Sequence, residues 1–321
     1  MAPQATDTDF ITSLLAVTYD PALSVLQDNV HNANATLKMI KEKGQIMINS
    51  SGQDLTVPLM VAESSTVDSV SYYDELPNDP QAGFIDGVAP RAYYAAKFMV
   101  SKIELDKNQG EAKIIDLLTA KTMQAESTLN ARLNGDLWKD GTGNSSKNVL
   151  GFKAMIPASA SASNYLGVNG TSNAVWNSKY QTGATATLIA ELDQLFYALA
   201  DGVDAPDVVV TNGLGLGLYE NAMRAVGNPV VMNAKLADAG IFKSEYKGIG
   251  IILDQAAPNY NDGTTYPAYH MLNTKYLGFY FNQMGGFEKV SHGTWSEYTM
   301  MVAVQILSNF RARQGRLDIT S

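Results

Sequence analysis

Gly213-Leu214-Gly215-Leu216-Gly217 follows an apolar stretch and opens an amphipathic one, where a phosphate-cradling loop sits between strand and helix. A dinucleotide fingerprint needs its third glycine at the position held by Leu218, and no βαβ alternation flanks the run. It reads instead as a flexible strand-to-helix turn. His31, His270 and His292 stand alone, with no HExxH or paired-ligand spacing. Neither a GxSxG elbow nor a GxxxxGK[ST] loop occurs. Asp201, Asp204 and Asp207 lack the Asp/Asn–Gly alternation of a calcium loop and read as a solvated turn. Asp136, Asp140 and Asn144 read as helix-end and turn chemistry. Cysteine is absent, which excludes disulfides, thiolate zinc sites and cysteine nucleophiles. The sequence offers no catalytic, cofactor-binding or metal site.

Its charge pattern says more. Between Gly44 and Pro90 lie seven acidic residues, Asp54, Glu63, Asp68, Asp74, Glu75, Asp79 and Asp86, with no lysine or arginine among them. Basic residues gather elsewhere, as Lys97, Lys102 and Lys107 and then Arg311, Arg313 and Arg316. An acidic projection and a basic patch on the body suit pairing between neighbouring copies, which sets register more than affinity. The alternative is that both are solvated faces. Of the 321 residues 45% are apolar and 17% charged, which suits a chain that hides surface against copies of itself. A net charge of -9 gives no general affinity for polyphosphate. The start, MAPQATDTDF, lacks a basic or apolar signal region, and no stretch reaches ~18 apolar residues. A soluble chain made inside the cell is expected.

The elements that must position these groups follow from periodicity. Residues 1–45 read as an extended arm with a short helix near 10–17. Strands are expected over 45–48 and 55–62, joined by a turn at Asn49-Ser50-Ser51-Gly52. The stretches 67–73 and 76–87 read as acidic loop, too poor in apolar residues to form a core, so 45–90 should project from the body. A long strand is expected over 89–105 and a long helix over 111–138. The helix stripe is Ile114, Leu118, Ala125, Leu129, Leu133 and Leu137, widened by Ile115 and Met123. Further on come helices over 185–200 and 214–226, and strands over 207–211 and 248–254. An antiparallel pair over 268–273 and 276–282 and an extended segment over 298–311 complete the pattern, which is α+β.

In this order the parts resemble the major capsid proteins of tailed double-stranded DNA bacteriophages, with their HK97-type capsid fold. The resemblance rests on the hairpin, the long strand and helix, and Leu133-Asn134-Gly135-Asp136-Leu137-Trp138 running through Asp140-Gly141-Thr142-Gly143-Asn144 to Leu150-Gly151-Phe152. Asn169-Gly170-Thr171-Ser172-Asn173 before Trp176, then 206–212 and 247–254, continue it. The resemblance implies an N-terminal arm over 1–44 and an extended E-loop hairpin over 45–90. It implies a P domain with a spine helix over 91–148, an A domain over 149–296 and a returning P-domain strand over 297–321. It also implies a non-enzymatic subunit without cofactor or metal, assembling with itself into hexamers and pentamers of an icosahedral shell around DNA.

Other expected partners are a portal and decoration proteins, and, because about forty-five residues precede the hairpin, a separate scaffolding protein; the alternative is a longer leader removed by processing, against which Met1 argues. No membrane is involved; assembly in the host cytoplasm and residence in the virion are implied. Some members cross-link through an E-loop lysine; its absence here implies a non-covalent shell. An encapsulin-type nanocompartment around cargo enzymes shares the fold and is the chief alternative. A nucleotide-binding enzyme and a tail or decoration protein are weaker ones.

Overall fold

A computed structural model describes residues 35–44, 49–51, 54–60, 67, 69–72, 74, 83–107, 117–202, 204–225, 243–260, 266–283 and 288–320. The short helix expected near 10–17 lies outside them, as does His31. In chain order the elements are α1 (Ala35–Lys43), β1 (Asn49–Ser51), β2 (Asp54–Met60), β3 (Phe84–Pro90), β4 (Ala92–Ser101), α2 (Lys102–Lys107) and α3 (Leu117–Leu137). Then follow β5 (Asn164–Tyr165), β6 (Val168–Asn169), β7 (Lys179–Gly183), α4 (Leu188–Leu199), β8 (Val208–Thr211), α5 (Gly213–Ala225), β9 (Lys243–Tyr246) and β10 (Ile249–Leu253). The last are β11 (Ala268–Leu272), β12 (Leu277–Gln283), β13 (Glu288–His292), β14 (Trp295–Ser308) and β15 (Gly315–Ile319). The mixture is α+β, as expected.

Local chemistry explains where the elements differ from the periodicity. The long strand expected over 89–105 breaks after Pro90, which has no N–H to give a ladder, and stops at Ser101. Ser101 begins a capping box: its Oγ accepts from Ile103 N at 3.2 Å, and Glu104 Oε2 accepts from Ser101 N at 2.8 Å. Residues 102–107 are therefore helical. In α3 the buried line is Leu117, Ala120, Leu129, Leu133 and Leu137, whereas Met123 is exposed. β11 and β12, expected to pair with each other, join different sheets, because a 3-10 turn at Thr274–Tyr276 redirects the chain.

Two compact units emerge among the described residues, one within Tyr93–Leu133 and Phe281–Ala303, the other within Asn34–Ala92, Asn134–Tyr280 and Val304–Ser321. In the first, β13 pairs antiparallel with β14 from Glu288 opposite Thr299 to His292 opposite Trp295. β4 also pairs with β14, and β12 lies on β14 in the same four-stranded sheet. Lys121 of α3 donates to Met99 O at 3.0 Å and reaches Glu104 at 3.3 Å, tying the helix to β4 and α2.

The second unit holds a six-stranded mixed sheet in the order β7-β15-β11-β8-β10-β9. Val209, Ile251, Tyr269, Met271, Leu317 and Ile319 point to one face, where Leu188, Leu192, Leu195 and Leu199 of α4 and Tyr219 of α5 cover them. On the other face His270 lies among Trp138, Tyr260 and Phe152, with ring centroids 4.8, 5.7 and 6.2 Å away. Arg316 stands beside it, stacked over Tyr260 and paired with Asp318 Oδ2 at 2.9 Å. Burial and the Arg316 charge hold the His270 ring neutral, its pKa well below the usual 6.5.

The glycine run is the first turn of α5, not a flexible turn. Gly215 N donates to Asn212 Oδ1 at 3.0 Å, and Asn212 itself donates to Ala257 O at 3.2 Å. A Cβ on Gly215 would lie 2.0 Å from Thr211 Oγ1, whereas one on Gly217 would meet nothing within 4 Å. The cap is made by the chain's own asparagine, and the glycine at 215 permits close helix–strand approach.

Two outcomes follow. Gly215→Ala should destabilise the subunit by about 1–3 kcal/mol through overpacking. Gly217→Ala should stabilise it by roughly 0.5–1 kcal/mol, because glycine is a poor interior helix residue. Urea unfolding of both variants separates packing from propensity. The unfolded chain protonates His270 near pH 6.5 and the folded chain does not. Stability therefore falls as pH drops below about 6.5, approaching 1.4 kcal/mol per pH unit until the folded pKa is reached. His270→Phe should remove that share of the slope, measured as the difference in urea midpoints between pH 7.5 and 5.5.

Candidate intersubunit surface

A strand alternates its side chains, so the hairpin that carries the acidic residues has two unlike faces. β1, β2 and β3 form an antiparallel sheet in which Thr56 faces Val88, Pro58 faces Asp86 and Met60 faces Phe84. Leu55, Val57, Leu59 and Ala89 are each no more than 1% exposed. The stretch 45–90 was expected to be too poor in apolar residues to form a core; its alternation nonetheless buries these four within the chain. Residues 84–87, expected as loop, are strand because they complete the ladder opposite 57–60. Residues 49–51, expected as a turn, form β1, with Ser51 opposite Asp54.

The outward face is apolar near its far end. Met60 is 65% and Phe84 80% exposed, with Val88 on the same face; Ile85, opposite Leu59, points to the other. Asp86 is exposed among them and Asp54 half-buried at the root. Asp74 is exposed and accepts from Ser71 N at 2.7 Å. Glu63, Asp68, Glu75 and Asp79 lie outside the described residues.

The root is tied to the body at two points. Val88 N donates to Leu166 O at 3.0 Å, across from the turn between β5 and β6. Gln305 Nε2 of β14 donates to Pro90 O at 2.8 Å. Gly87 makes the first contact possible, since a Cβ there would sit 2.7 Å from Leu59 Cδ1 and 3.2 Å from Leu166 Cβ.

Of the basic residues, Lys102 and Lys107 are exposed at the two ends of α2. Lys97 is exposed on β4 and pairs with Glu297 at 2.6 Å. Beside it run Tyr93 and Met99 on β4 and Met301 on β14, each about half exposed. A groove of about 480 Å³ lies between β4 and α3, lined by Lys97, Phe98, Lys121, Leu129 and Arg132 among others.

The three arginines are not an outer patch. Arg311 is fully buried: its guanidinium donates to Asn177 Oδ1 at 2.8 Å, Ala160 O at 3.0 Å and Ser163 Oγ at 3.2 Å. It stacks 4.6 Å from the Trp176 ring, and burial pushes its pKa down to about 10. Arg316 is buried with Asp318, and Arg313 is spent on Leu199 O and Asp201. Each meets partners of its own chain and leaves no fork for a neighbour's hairpin.

Of the acidic run, Asp201 stays on an exposed turn as expected, its side chain 72% exposed, whereas Asp204 and Asp207 are partly buried. Asp201 pairs with Arg313, Asp204 accepts from the Tyr276 hydroxyl and meets Lys275 at 3.4 Å, and Asp207 accepts from Thr274 N at 2.8 Å. Among the described residues no group of three or more His, Cys, Asp or Glu is placed to hold a metal. The sequence reading missed Met60, Phe84 and Gln305. The first two were available from the alternation in DLTVPLM and FIDGVAP, and Gln305 from its place as the polar residue within VAVQIL.

No protein-family model matches the sequence, and no curated protein does either. Solved structures match along nearly the whole chain. A subunit of the cyanophage A-1(L) capsid aligns with a TM-score of 0.73 at 17% identity, covering 94% of this chain and 97% of that one. The capsid of a native GTA particle aligns at 0.60 and 15% identity, covering 94% and 95%. The holo-SrpI encapsulin of Synechococcus elongatus PCC 7942 aligns at 0.57 and 9% identity, covering 99% and 96%. The chain therefore has the fold of shell-forming capsid subunits, the α+β capsid architecture that its sequence resembles.

Proposed function

We propose that this chain is the major capsid protein of a tailed double-stranded DNA bacteriophage. It is a structural subunit, not an enzyme. Copies associate as hexamers and pentamers and close an icosahedral head around DNA, in the symmetry logic of closed assemblies. The observation that carries this reading is the hairpin, buried on one face by its own chain and bare on the other at Met60, Phe84 and Val88. Large apolar side chains exposed together on one face, here around Asp86, mark an interaction surface.

Its occupant is a second copy of this chain, at the face bearing Lys97, Met99, Tyr93 and Met301 with Lys102 and Lys107 nearby in sequence. The apolar stripe supplies area, and Asp54, Asp74 and Asp86 set register against the lysines. Arg311, Arg313 and Arg316 take no part. A separate scaffolding protein, a portal and decoration proteins complete the particle, which forms in the host cytoplasm. No lysine lies between Gly44 and Pro90, so the shell holds together without covalent links. The encapsulin likeness supports a second reading, a nanocompartment around cargo protein. The content of the particle separates the two.

Electron microscopy of the expressed chain, alone and with a candidate scaffolding protein, should show closed shells, and phage particles should hold DNA. Denaturing electrophoresis of those particles should give a monomer band; a ladder of multimers contradicts the non-covalent shell. Phe84→Ser, and separately charge reversal of Asp74 and Glu75, should lower particle yield several-fold while leaving the subunit's circular dichroism unchanged. Undiminished yield in both would remove the hairpin from the interface.

A further inference from the structure

Gln305 is 1% exposed, and both its amide nitrogen and its amide oxygen are engaged. Nε2 donates to Pro90 O at 2.8 Å, while Oε1 accepts from Leu150 N at 2.9 Å and from Ile306 N at 3.1 Å. One side chain on β14 thus holds the last residue of the hairpin and the loop after α3. All three partners are backbone atoms. The opposite edge of the root is held by Leu166 O on Val88 N.

The acceptor Leu166 is itself held in place. Leu166 and Gly167 have φ of +53° and +78°, a tight turn in which both residues are left-handed. Tyr165 OH accepts from Ser308 N at 3.3 Å, and the Arg311 guanidinium grips Ala160 and Ser163 on the same loop. Both anchors of the hairpin therefore trace to the end of β14 and the turn after it, at Gln305, Ser308 and Arg311.

We infer that Gln305 is the positioning residue of the hairpin: its amide, with the Leu166 turn, fixes the line along which the hairpin leaves the body. The joint acts through backbone atoms at the root and touches none of the outward face. It sets the aim of Met60 and Phe84 without contributing to their contacts. Its bearing on assembly rests on the capsid reading; the joint itself does not.

The test uses the full-length chain with two substitutions. Gln305→Glu keeps an acceptor for Leu150 N and Ile306 N but sets an oxygen against Pro90 O. Gln305→Met keeps the volume and removes both contacts. Hydrogen exchange of the unassembled subunit should show the amides of β2 and β3, Val88 included, exchanging about tenfold faster in Gln305→Glu, with β8 and β11 unchanged. Gln305→Met should accelerate the same amides and also Leu150. Wild-type exchange in the hairpin of both variants would overturn the joint, because a buried glutamic acid that stays protonated can still donate to Pro90 O whereas a methionine cannot. So would acceleration spread equally over the six-stranded sheet, which marks general destabilisation. Particles of Gln305→Glu should lose uniform size, read by electron microscopy. If the wild-type chain forms no shells at all, the capsid reading fails while the exchange result still decides the joint.

Discussion

A two- or three-stranded hairpin sheet is marginal in water, so it persists where one face is covered. In this chain the covering is internal: Leu55, Val57, Leu59 and Ala89 lose essentially all their exposure. Burial of the three large side chains is worth about 2 kcal/mol each as an upper figure. Because the side-chain period of a strand is two, turning those residues inward compels Thr56, Pro58 and Met60 outward, with Val88, Asp86 and Phe84 opposite them. A one-residue slip would exchange the two sets. The outward apolar stripe is therefore a geometric consequence of anchoring the hairpin.

The anchoring relies on buried polar groups more than on extra apolar area. Among the described residues Arg311 has no carboxylate partner; a hydroxyl, a carbonyl and an amide oxygen accept from its guanidinium, and the Trp176 face lies over it. A planar guanidinium with five donors can bridge separated loop segments in this way, where a lysine ammonium offers a single point. Asn177 is fixed at both ends, donating through Nδ2 to Gly170 O at 2.9 Å while accepting from Arg311. Such groups are costly to leave unpaired, and each therefore enforces one arrangement of the loop that it ties.

Much of this was legible in the sequence. The buried runs VVVT and AYHML, the long helix and the extended approach to Ser308 all lie where periodicity puts them. Three things were misread for physical reasons. The capping box at Ser101 and Glu104 ended a strand that hydrophobicity alone would have extended. The arginines at 311, 313 and 316 looked like surface charge, because composition does not reveal which carbonyls converge on a guanidinium. The hairpin looked too polar because residues were counted, when the alternation of Leu55, Val57 and Leu59 decided the matter. Gln305 could be singled out as a polar residue in an apolar strand, but its three backbone partners come from distant segments and from β14 itself, and only the fold assembles them.

Likeness along the whole chain at 9% to 17% identity fits this division of labour. The burial pattern fixes the fold and tolerates wide substitution of apolar side chains, whereas surface chemistry between copies is free to vary. The shell proposed above, joined without covalent links, would draw its stability from many modest contacts acting together. Each such contact is weakened by the entropy of ordering whatever it immobilises. A hairpin hanging loosely from the body would lose most of the gain from Met60 and Phe84 in being ordered. One fixed at Pro90 and Val88 in advance has little left to lose, so under the proposed capsid reading a rigid root would let a small apolar stripe suffice.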